Sequence, residues 1–476
     1  MNKKTNLGAF TTLISIFFFW GFVAASNDIL IPVFKKALDL SQLESQLISL
    51  AFYIAYTVGS LLYFGISSFI KKDILNVIGY RNGLSLGLII SALGTLLFIP
   101  ASNNESFPLL ISGLFIVGLG FSLQQIAANP LAIQMGDPSK GNMRLSLAGG
   151  INNVGTTIGP VIVSFAIFGS LSSGETNLNL QSVQTPYLFL GAAFVIAAIL
   201  FKFSSVPDRL GEKNESNNSG NILATLKYPQ VVLGMIAIFL YVGVEVSTAS
   251  NLPEFMKQEL GTEESGVAPF VSLFWASLMI GRWTSAAGAF NISNKLKSIL
   301  GLILPFVAFG IFLFVNWIAG YGMQQFLPYI ALVFLLIFAD KISKGNPVNQ
   351  IMIYSAIGIL ATVVGIFANG IISVFAFIAV GLFCSTLWPC IFTLGIAGLK
   401  EKTNTASSLL IMMIMGGGFI STLQGALASD NLLGIQHSYW VGVICFAYLF
   451  LFAWTVNKKL KLQGVNWESS TDKVGH

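Results

Sequence analysis

The stretch KFSSVPDRLGEKNESNNSGNILATLKYP, residues 202–229, is the longest hydrophilic segment of a 476-residue chain and is rich in Asn, Ser and Gly. The sequence on both sides of it is a series of long apolar runs. A helix needs about 20 apolar residues to cross a bilayer, and we count six runs of this kind before the stretch and eight after it. The stretch is therefore predicted to link two membrane-embedded halves of an all-α polytopic protein.

Short polar segments interrupt the apolar runs and set the limits of the predicted spans. The spans of the first half lie near residues 8–34, 43–68, 80–100, 107–135, 145–169 and 184–203. Those of the second half lie near residues 231–256, 267–290, 298–318, 326–340, 350–368, 371–398, 406–428 and 438–456. The corresponding domains are an N-terminal six-helix bundle over 1–203, a cytoplasmic linker over 204–229, a C-terminal bundle over 230–460 with an extra hairpin near 298–340, and a cytoplasmic tail over 461–476.

Composition indicates an integral membrane protein, because 54% of the residues are hydrophobic and only 9% are charged, whereas soluble domains contain about 25% charged residues. Fourteen crossings place both termini on one side, and cytoplasmic loops are enriched in Lys and Arg. With a cytoplasmic N-terminus, only Lys35, Lys36 and Lys257 fall outside, and the other 22 of the 25 basic residues fall inside or at inner helix ends. We therefore expect a multi-pass protein of a bacterial inner membrane with both termini in the cytoplasm.

The reactive residue types argue against an enzyme. The two histidines, His437 and His476, lie in a loop and at the C-terminus, so they offer no histidine metal site or catalytic triad. The three cysteines lie in apolar runs and show neither metal-ligand spacing nor a disulfide pattern, and the chain has no phosphate-binding glycine loop with its lysine. We expect no metal, no organic cofactor and no nucleic-acid partner.

The two halves share an internal repeat. Residues 20–38 and 242–260 align at one constant offset, which matches Gly21 with Gly243, Lys35 with Lys257 and Leu38 with Leu260. The tripeptide GLF recurs at 113 and 381, each time in a helix that carries a proline. Apolar helices also resemble each other through composition alone, but matched order across several helices favours duplication. Two parallel repeats typically enclose a binding site near the middle of the membrane.

Seven motifs in the same order resemble the fucose, galactose and glucose symporter family of the major facilitator superfamily. They are SNDILIP, GYRNGLSLGLIISALGTLLFIPA, QQIAANP, QTPY, MIGRW, GLFCSTLWPCIFTLGIAGL and MMIMGGGFISTLQG. The longer second half is similar to a branch of glucose/galactose transporters from the Bacteroidetes, with the two added spans near 298–318 and 326–340. The resemblance implies a major facilitator fold, with two six-helix bundles and a two-helix insertion in the second half.

The same resemblance implies the function and the partners. We expect a monomer, embedded in lipid, that imports a small sugar by cation-coupled alternating access. The sugar is expected to be a glucose- or galactose-like hexose rather than fucose, and the coupling ion to be a proton rather than sodium. The alternative is a membrane sugar sensor or receptor that uses a transporter fold without net transport.

Asp28, in AASNDILI at residues 24–31, is the first candidate for ion coupling. It lies some twenty residues into an apolar run, and charged residues inside membrane spans are rare and commonly mark ion pathways. The alternative is an aspartate that is merely satisfied by backbone amides and by polar neighbours such as Asn27. The resemblance implies coupling, because the family's aspartate at this motif position is implicated in proton transfer.

Glu245 is the second candidate for ion coupling. Tyr241 lies four residues before it and Thr248 three residues after it, so the three share one helix face. Glu245 lies in the first helix of the second half, as Asp28 does in the first, and the two acids are placed to approach one cavity. The alternative role is a bond to a neighbouring helix that locks the halves together.

Amide side chains and one indole are the candidates for sugar contact. Amides match sugar hydroxyls as donors and acceptors, an aromatic ring stacks on an apolar sugar face, and the alternative for the amides is helix-to-helix bonding within the bundle. These candidates are Asn27, Gln124, Gln125, Asn129, Asn152, Asn153 and Trp388. Fucose transporters carry a glutamate where this chain has Gln125, so a second acidic site is absent and sodium remains an alternative ion. Arg282, in MIGRW, is interpreted as a gating or structural cation.

Overall fold

A computed structural model describes residues 7–38, 42–137, 140–168, 184–208, 222–262, 264–289, 292–429 and 431–465. Side chains are described for these residues except 7, 24–37, 42–49, 160–168 and 264–265. The long helices of the first half are α1 (Leu7–Ala37), α2 (Gln42–Phe69), α3 (Tyr80–Asn103), α4 (Phe107–Gln134), α5 (Gly141–Phe168) and α6 (Gln184–Lys202). All six lie close to the spans that the sequence predicts.

Eight long helical segments follow in the second half. They are α7 (Pro229–Leu260), α8 (Glu264–Ala286), α9 (Asn294–Ile318), α10 (Gln324–Ser343), α11 (Pro347–Phe367), α12 (Gly370–Gly395), α13 (Lys400–Leu427) and α14 (Gly434–Leu462). Among the described residues, eleven helices are long and apolar enough to cross a membrane. The prediction of an all-α polytopic protein is confirmed.

Close helix contacts hold each half together, and the same arrangement occurs in both. In the first half α1 packs along α5, and in the second half α7 packs along α13. A Cβ atom on Gly21 would lie 1.9 Å from the backbone oxygen of Asn152, and one on Gly416 would lie 2.1 Å from that of Phe239. Only glycine permits these two approaches. The repeated packing agrees with the internal repeat in the sequence.

The two halves meet through α2, α4 and α5 on one side and α8, α12 and α13 on the other. The ends of these helices that adjoin loops 70–79, 135–141 and 396–402 lie together, and this side of the molecule carries most of the described Lys and Arg residues. We call it the basic end. In the predicted orientation it faces the cytoplasm.

The extra hairpin consists of α9 and α10, which pack against α8 and α11. Only one stripe of α9 is buried, formed by Pro305, Ala308, Phe309, Phe312 and Asn316. The other residues of this helix are partly or fully exposed, and its apolar composition suits contact with lipid. The insertion therefore lies at the periphery of the second half, where α9 also touches α5 of the first half.

Candidate functional site

A carboxyl and a phenol meet near the middle of α7. The Tyr241 hydroxyl donates a hydrogen bond to Oε2 of Glu245, one turn along the helix. The Tyr241 ring lies 6.1 Å from that of Trp388 in α12, and Trp388 stacks on Phe392 at 5.9 Å. Tyr241 is buried, whereas Glu245 and Trp388 are only partly buried. The sequence-predicted acid and the sequence-predicted indole therefore belong to one cluster.

Arg282 joins this cluster to the first half of the protein. Its Nε donates to the backbone oxygen of Ser385 in α12 over 2.9 Å. Its Nη1 donates to the backbone oxygen of Gly149 over 3.1 Å and to Oδ1 of Asn153 over 2.7 Å, both in α5. The guanidinium also acts electrostatically on the Glu245 carboxylate. A single buried cation therefore bonds to both halves and acts at longer range on an acid.

Pro389 explains why Ser385 offers its carbonyl to Arg282. A proline has no N–H, so it cannot bond the carbonyl four residues earlier, and its ring pushes that carbonyl aside. The carbonyl four residues before Pro389 is that of Ser385, where α12 is interrupted between Cys384 and Leu387. The Arg282 guanidinium supplies the missing donor.

The predicted polar residues of α4 divide into three environments. Gln124 is fully buried, accepts from Nε1 of Trp20 over 2.8 Å and donates to Oγ of Ser91 over 3.1 Å. Gln125 is partly buried and donates from Nε2 to the hydroxyl of Tyr56 over 3.1 Å. Asn129 is 1% exposed, and its Nδ2 has no partner among the described residues. A buried amide donor without a partner is costly, so this atom is suited to a polar ligand.

The two adjacent asparagines of α5 point to different neighbours. Asn152 donates from Nδ2 to the backbone oxygen of Phe17 in α1 over 2.9 Å, which reinforces the close contact of these helices. Asn153 is 2% exposed and accepts from Arg282. Asn27 and Asp28 lie outside the residues whose side chains the structure describes.

A second cluster, which sequence reasoning missed, joins the halves at the basic end. The Asp73 carboxylate accepts from the Tyr63 hydroxyl over 2.8 Å and from Nδ2 of Asn404, in α13, over 3.0 Å. The Tyr80 hydroxyl donates to Oδ1 of the same asparagine. Burial raises the pKa of the Asp73 carboxyl, although these bonds oppose the rise. Asp73 also caps a short helix at Ile74–Ile78, and that capping pattern was its only sequence signal.

Comparison with known proteins gives consistent matches. The sequence model of the Major Facilitator Superfamily matches residues 8–339. The chain is 31% identical to the glucose/galactose transporter of Brucella abortus over 460 residues, which is 95% of each chain. It is 26% identical to the L-fucose-proton symporter of Escherichia coli over 465 residues, which is 93% of this chain and 92% of that one. The crystal structure of the transporter FucP in the outward conformation matches with a TM-score of 0.72 and 25% identity, over 94% of this chain and 98% of that one.

Proposed function

Because the chain belongs to the major facilitator superfamily, and within it to the fucose, galactose and glucose:cation symporter family, we propose that it imports a hexose by cation-coupled alternating access. Membership of a transporter family confirms the predicted class of protein. The names of the relatives support sugar:cation symport, and the Brucella abortus relative favours a glucose- or galactose-like substrate over fucose. We place the protein in a bacterial inner membrane as a monomer with both termini in the cytoplasm.

The observation that carries this proposal is the Arg282 network between the halves. Arg282 holds acceptors on α5 of the first half and also acts on Glu245 of the second half. An ionised Glu245 competes with those acceptors for the guanidinium, whereas a neutral Glu245 leaves the guanidinium on α5. Ion binding at the acid therefore changes the stability of the contact between the halves. A ligand shifts a conformational equilibrium only through such a difference between states.

Asp28 is proposed as the coupling carboxylate of the first half. This role rests on its place in SNDILIP and on the family resemblance, since its side chain is outside the described residues. An unpaired carboxylate disfavours closure of the cavity around it, whereas a protonated or ion-bound one permits closure. The proton is our first choice of ion. Gln125, which stands where fucose transporters carry an acid, keeps sodium as the alternative.

We propose that Gln125, Asn129 and Trp388 bind the sugar directly. Gln125 and Asn129 are one turn apart in α4, so their amides present one polar surface. The unpartnered Nδ2 of Asn129 can donate to a hydroxyl, and the Trp388 ring can stack on the sugar. We assign Gln124 and Asn152 to helix packing in this conformation, because their amides bond to neighbouring helices of the same half.

The contacts at the basic end support an outward-facing conformation. Asp73, Tyr80 and Asn404 join the halves there, and the FucP structure that resembles this chain is in the outward conformation. Inward opening would have to break these bonds. In the predicted orientation the basic end is the cytoplasmic exit for the sugar.

The decisive experiment is uptake of labelled glucose, galactose and fucose into proteoliposomes with an imposed proton or sodium gradient. We expect a proton gradient to drive accumulation of glucose or galactose. Asp28→Asn should abolish accumulation but preserve sugar binding and counterflow. Stimulation by sodium at fixed pH would assign sodium instead. Binding without uptake of any of the three sugars would favour a sensor.

A further inference from the structure

An apolar groove of about 490 Å³ lies on the outer face of the extra hairpin. Its walls are formed by Leu302, Ile303, Phe306, Val307 and Phe334. The rings of Phe306 and Phe334 lie 5.1 Å apart and join the two helices at this point. The other wall residues are 45–49% exposed and Phe334 is 54% exposed, so the groove opens away from the protein. It is separate from the polar cluster between the halves.

The groove continues toward the basic end. On α10, Phe338 and Ile342 follow Phe334 at intervals of four residues, and on α9, Ile299 precedes Ile303 at the same interval; all three are exposed. Side chains four residues apart lie on one face of a helix. The hairpin therefore presents a continuous apolar track rather than a single depression.

Lysines lie at the end of this track. Lys295 precedes Leu302 by seven residues, and Lys341 follows Phe334 by seven residues. Seven residues make two helical turns, so each lysine lies on the groove face, about 10 Å nearer the basic end. Both lysines are exposed. The apolar track thus ends between two cations, one on each helix.

Neighbouring groups strengthen the positive charge there. Lys297 and Lys344 lie at the same end of the hairpin. Burial, and then repulsion from Lys297, lowers the pKa of Lys140 in the loop before α5. The adjacent acid, Asp340, accepts a hydrogen bond from Nε2 of Gln350 in α11 over 2.9 Å. That carboxylate is therefore engaged on the inner side of the hairpin.

We propose that the outer face of the hairpin binds an anionic phospholipid, with an acyl chain in the groove and the phosphate between Lys295 and Lys341. The apolar length followed by a pair of cations matches the two chemical parts of such a lipid, and basic pockets between membrane helices bind anionic headgroups. A second copy of the chain is a poorer fit. A twofold contact through this face would bring two lysine clusters together.

The test is native mass spectrometry of the purified full-length protein in detergent, with phosphatidylglycerol or phosphatidylcholine added. We expect phosphatidylglycerol to be retained more strongly. The double variant Lys295→Gln with Lys341→Gln should bind phosphatidylglycerol roughly 25-fold more weakly, since each lysine contributes about fivefold. Its binding of phosphatidylcholine should be unchanged. As a control, Lys71→Gln with Lys72→Gln removes two exposed cations from the basic end of the first half and should change the binding of neither lipid.

A second pair of variants tests the groove. Ile303→Trp should fill it and reduce retention of both lipids, whereas Leu360→Trp, on the exposed face of α11, should not. Thermal melting checks that each variant is folded. Equal retention of the two lipids by the parent protein would overturn the proposal. An equal loss of phosphatidylglycerol binding in the two double-lysine variants would also overturn it. A dimer that Ile303→Trp dissociates would assign the face to a second copy instead.

Discussion

Helices α4 and α12 each contain a proline that leaves one backbone carbonyl without its helical donor, but a different kind of group bonds to that carbonyl in each half. Pro130 in α4 leaves the carbonyl of Ile126 without its helical donor, as Pro389 in α12 does for Ser385. The Ile126 carbonyl accepts from the Ser407 hydroxyl of the opposite half over 3.1 Å. The Ser385 carbonyl accepts from a guanidinium instead. One proline site is satisfied by a neutral group and the other by a charge.

The hydrogen bonds of one tyrosine in each half, Tyr56 and Tyr241, differ in the same way. Tyr56 receives a hydrogen bond from the amide of Gln125, whereas Tyr241 donates to the carboxyl of Glu245. An amide cannot exchange protons, but a carboxyl can. At these matched positions in α2, α4, α7 and α12, the first half therefore uses neutral hydrogen-bonding groups and the second half uses charged ones. This division of roles predicts different results for equivalent substitutions.

The largest effect should follow Arg282→Ala. The variant removes the side-chain donor that the acceptors on Ser385, Gly149 and Asn153 share. Breaking a buried charge network by removing one member costs about 3–5 kcal/mol, so initial uptake should fall by a factor of 100 or more. Arg282→Lys keeps the charge without the forked geometry, so its initial uptake should lie between that of the parent protein and that of Arg282→Ala. Uptake near the parental rate in a folded Arg282→Ala protein would remove the network from the mechanism.

Glu245→Gln should have a smaller and more selective effect. The amide can still accept from Tyr241, but it carries no charge to act on Arg282. Gradient-driven accumulation should fall about tenfold, within the usual range of coupling free energies, while sugar exchange at equal gradients should persist. Proteoliposome accumulation and counterflow distinguish these outcomes. If both remain at parental levels, Glu245 is structural and coupling belongs to Asp28 alone.

The helical architecture could be predicted from sequence because its signals are local. The extra pair, predicted at 298–318 and 326–340, forms α9 at Asn294–Ile318 and α10 at Gln324–Ser343. Apolar length and polar interruptions depend only on neighbouring residues. The partners of polar side chains are different, since they depend on which helices meet. The sequence placed Asn153 among the sugar contacts, and nothing near it in the chain indicates that a cation from α8 occupies its oxygen.

Adjacent residues posed the same difficulty. A helix turns about 100° per residue, so Gln124 and Gln125 face different neighbours, and the apolar pattern around them does not distinguish the two. The position of Pro389 four residues after Ser385 was a usable signal for the Arg282 contact. It identifies an acceptor that needs a donor, but it does not identify the donor.

Substitution of Gln124 and of Gln125 should therefore have different effects. Gln125→Ala should weaken sugar binding by 1–3 kcal/mol, which is roughly 5- to 150-fold, because it leaves a buried partner unpaired. Gln124→Ala should instead lower the melting temperature with little change in affinity, because it disconnects Trp20 and Ser91. Titration calorimetry and thermal melting measure both quantities. The reverse pattern would exchange the roles of the two residues.

The smallest effect tests the proline comparison itself. Ser407→Ala leaves the Ile126 carbonyl without a donor and should cost about 1 kcal/mol of stability, seen as a lower melting temperature. Ser408→Ala is the matched control, because the Ser408 hydroxyl has no partner among the described residues. Pro130→Ala restores a backbone N–H four residues after Ile126, so Ser407→Ala should cost less in that background. A double-mutant cycle measures this difference. If the two changes are additive, the Ser407 hydroxyl does not replace the bond that Pro130 removes. The similarity between α4 and α12 would then be limited to the position of a proline in each sequence.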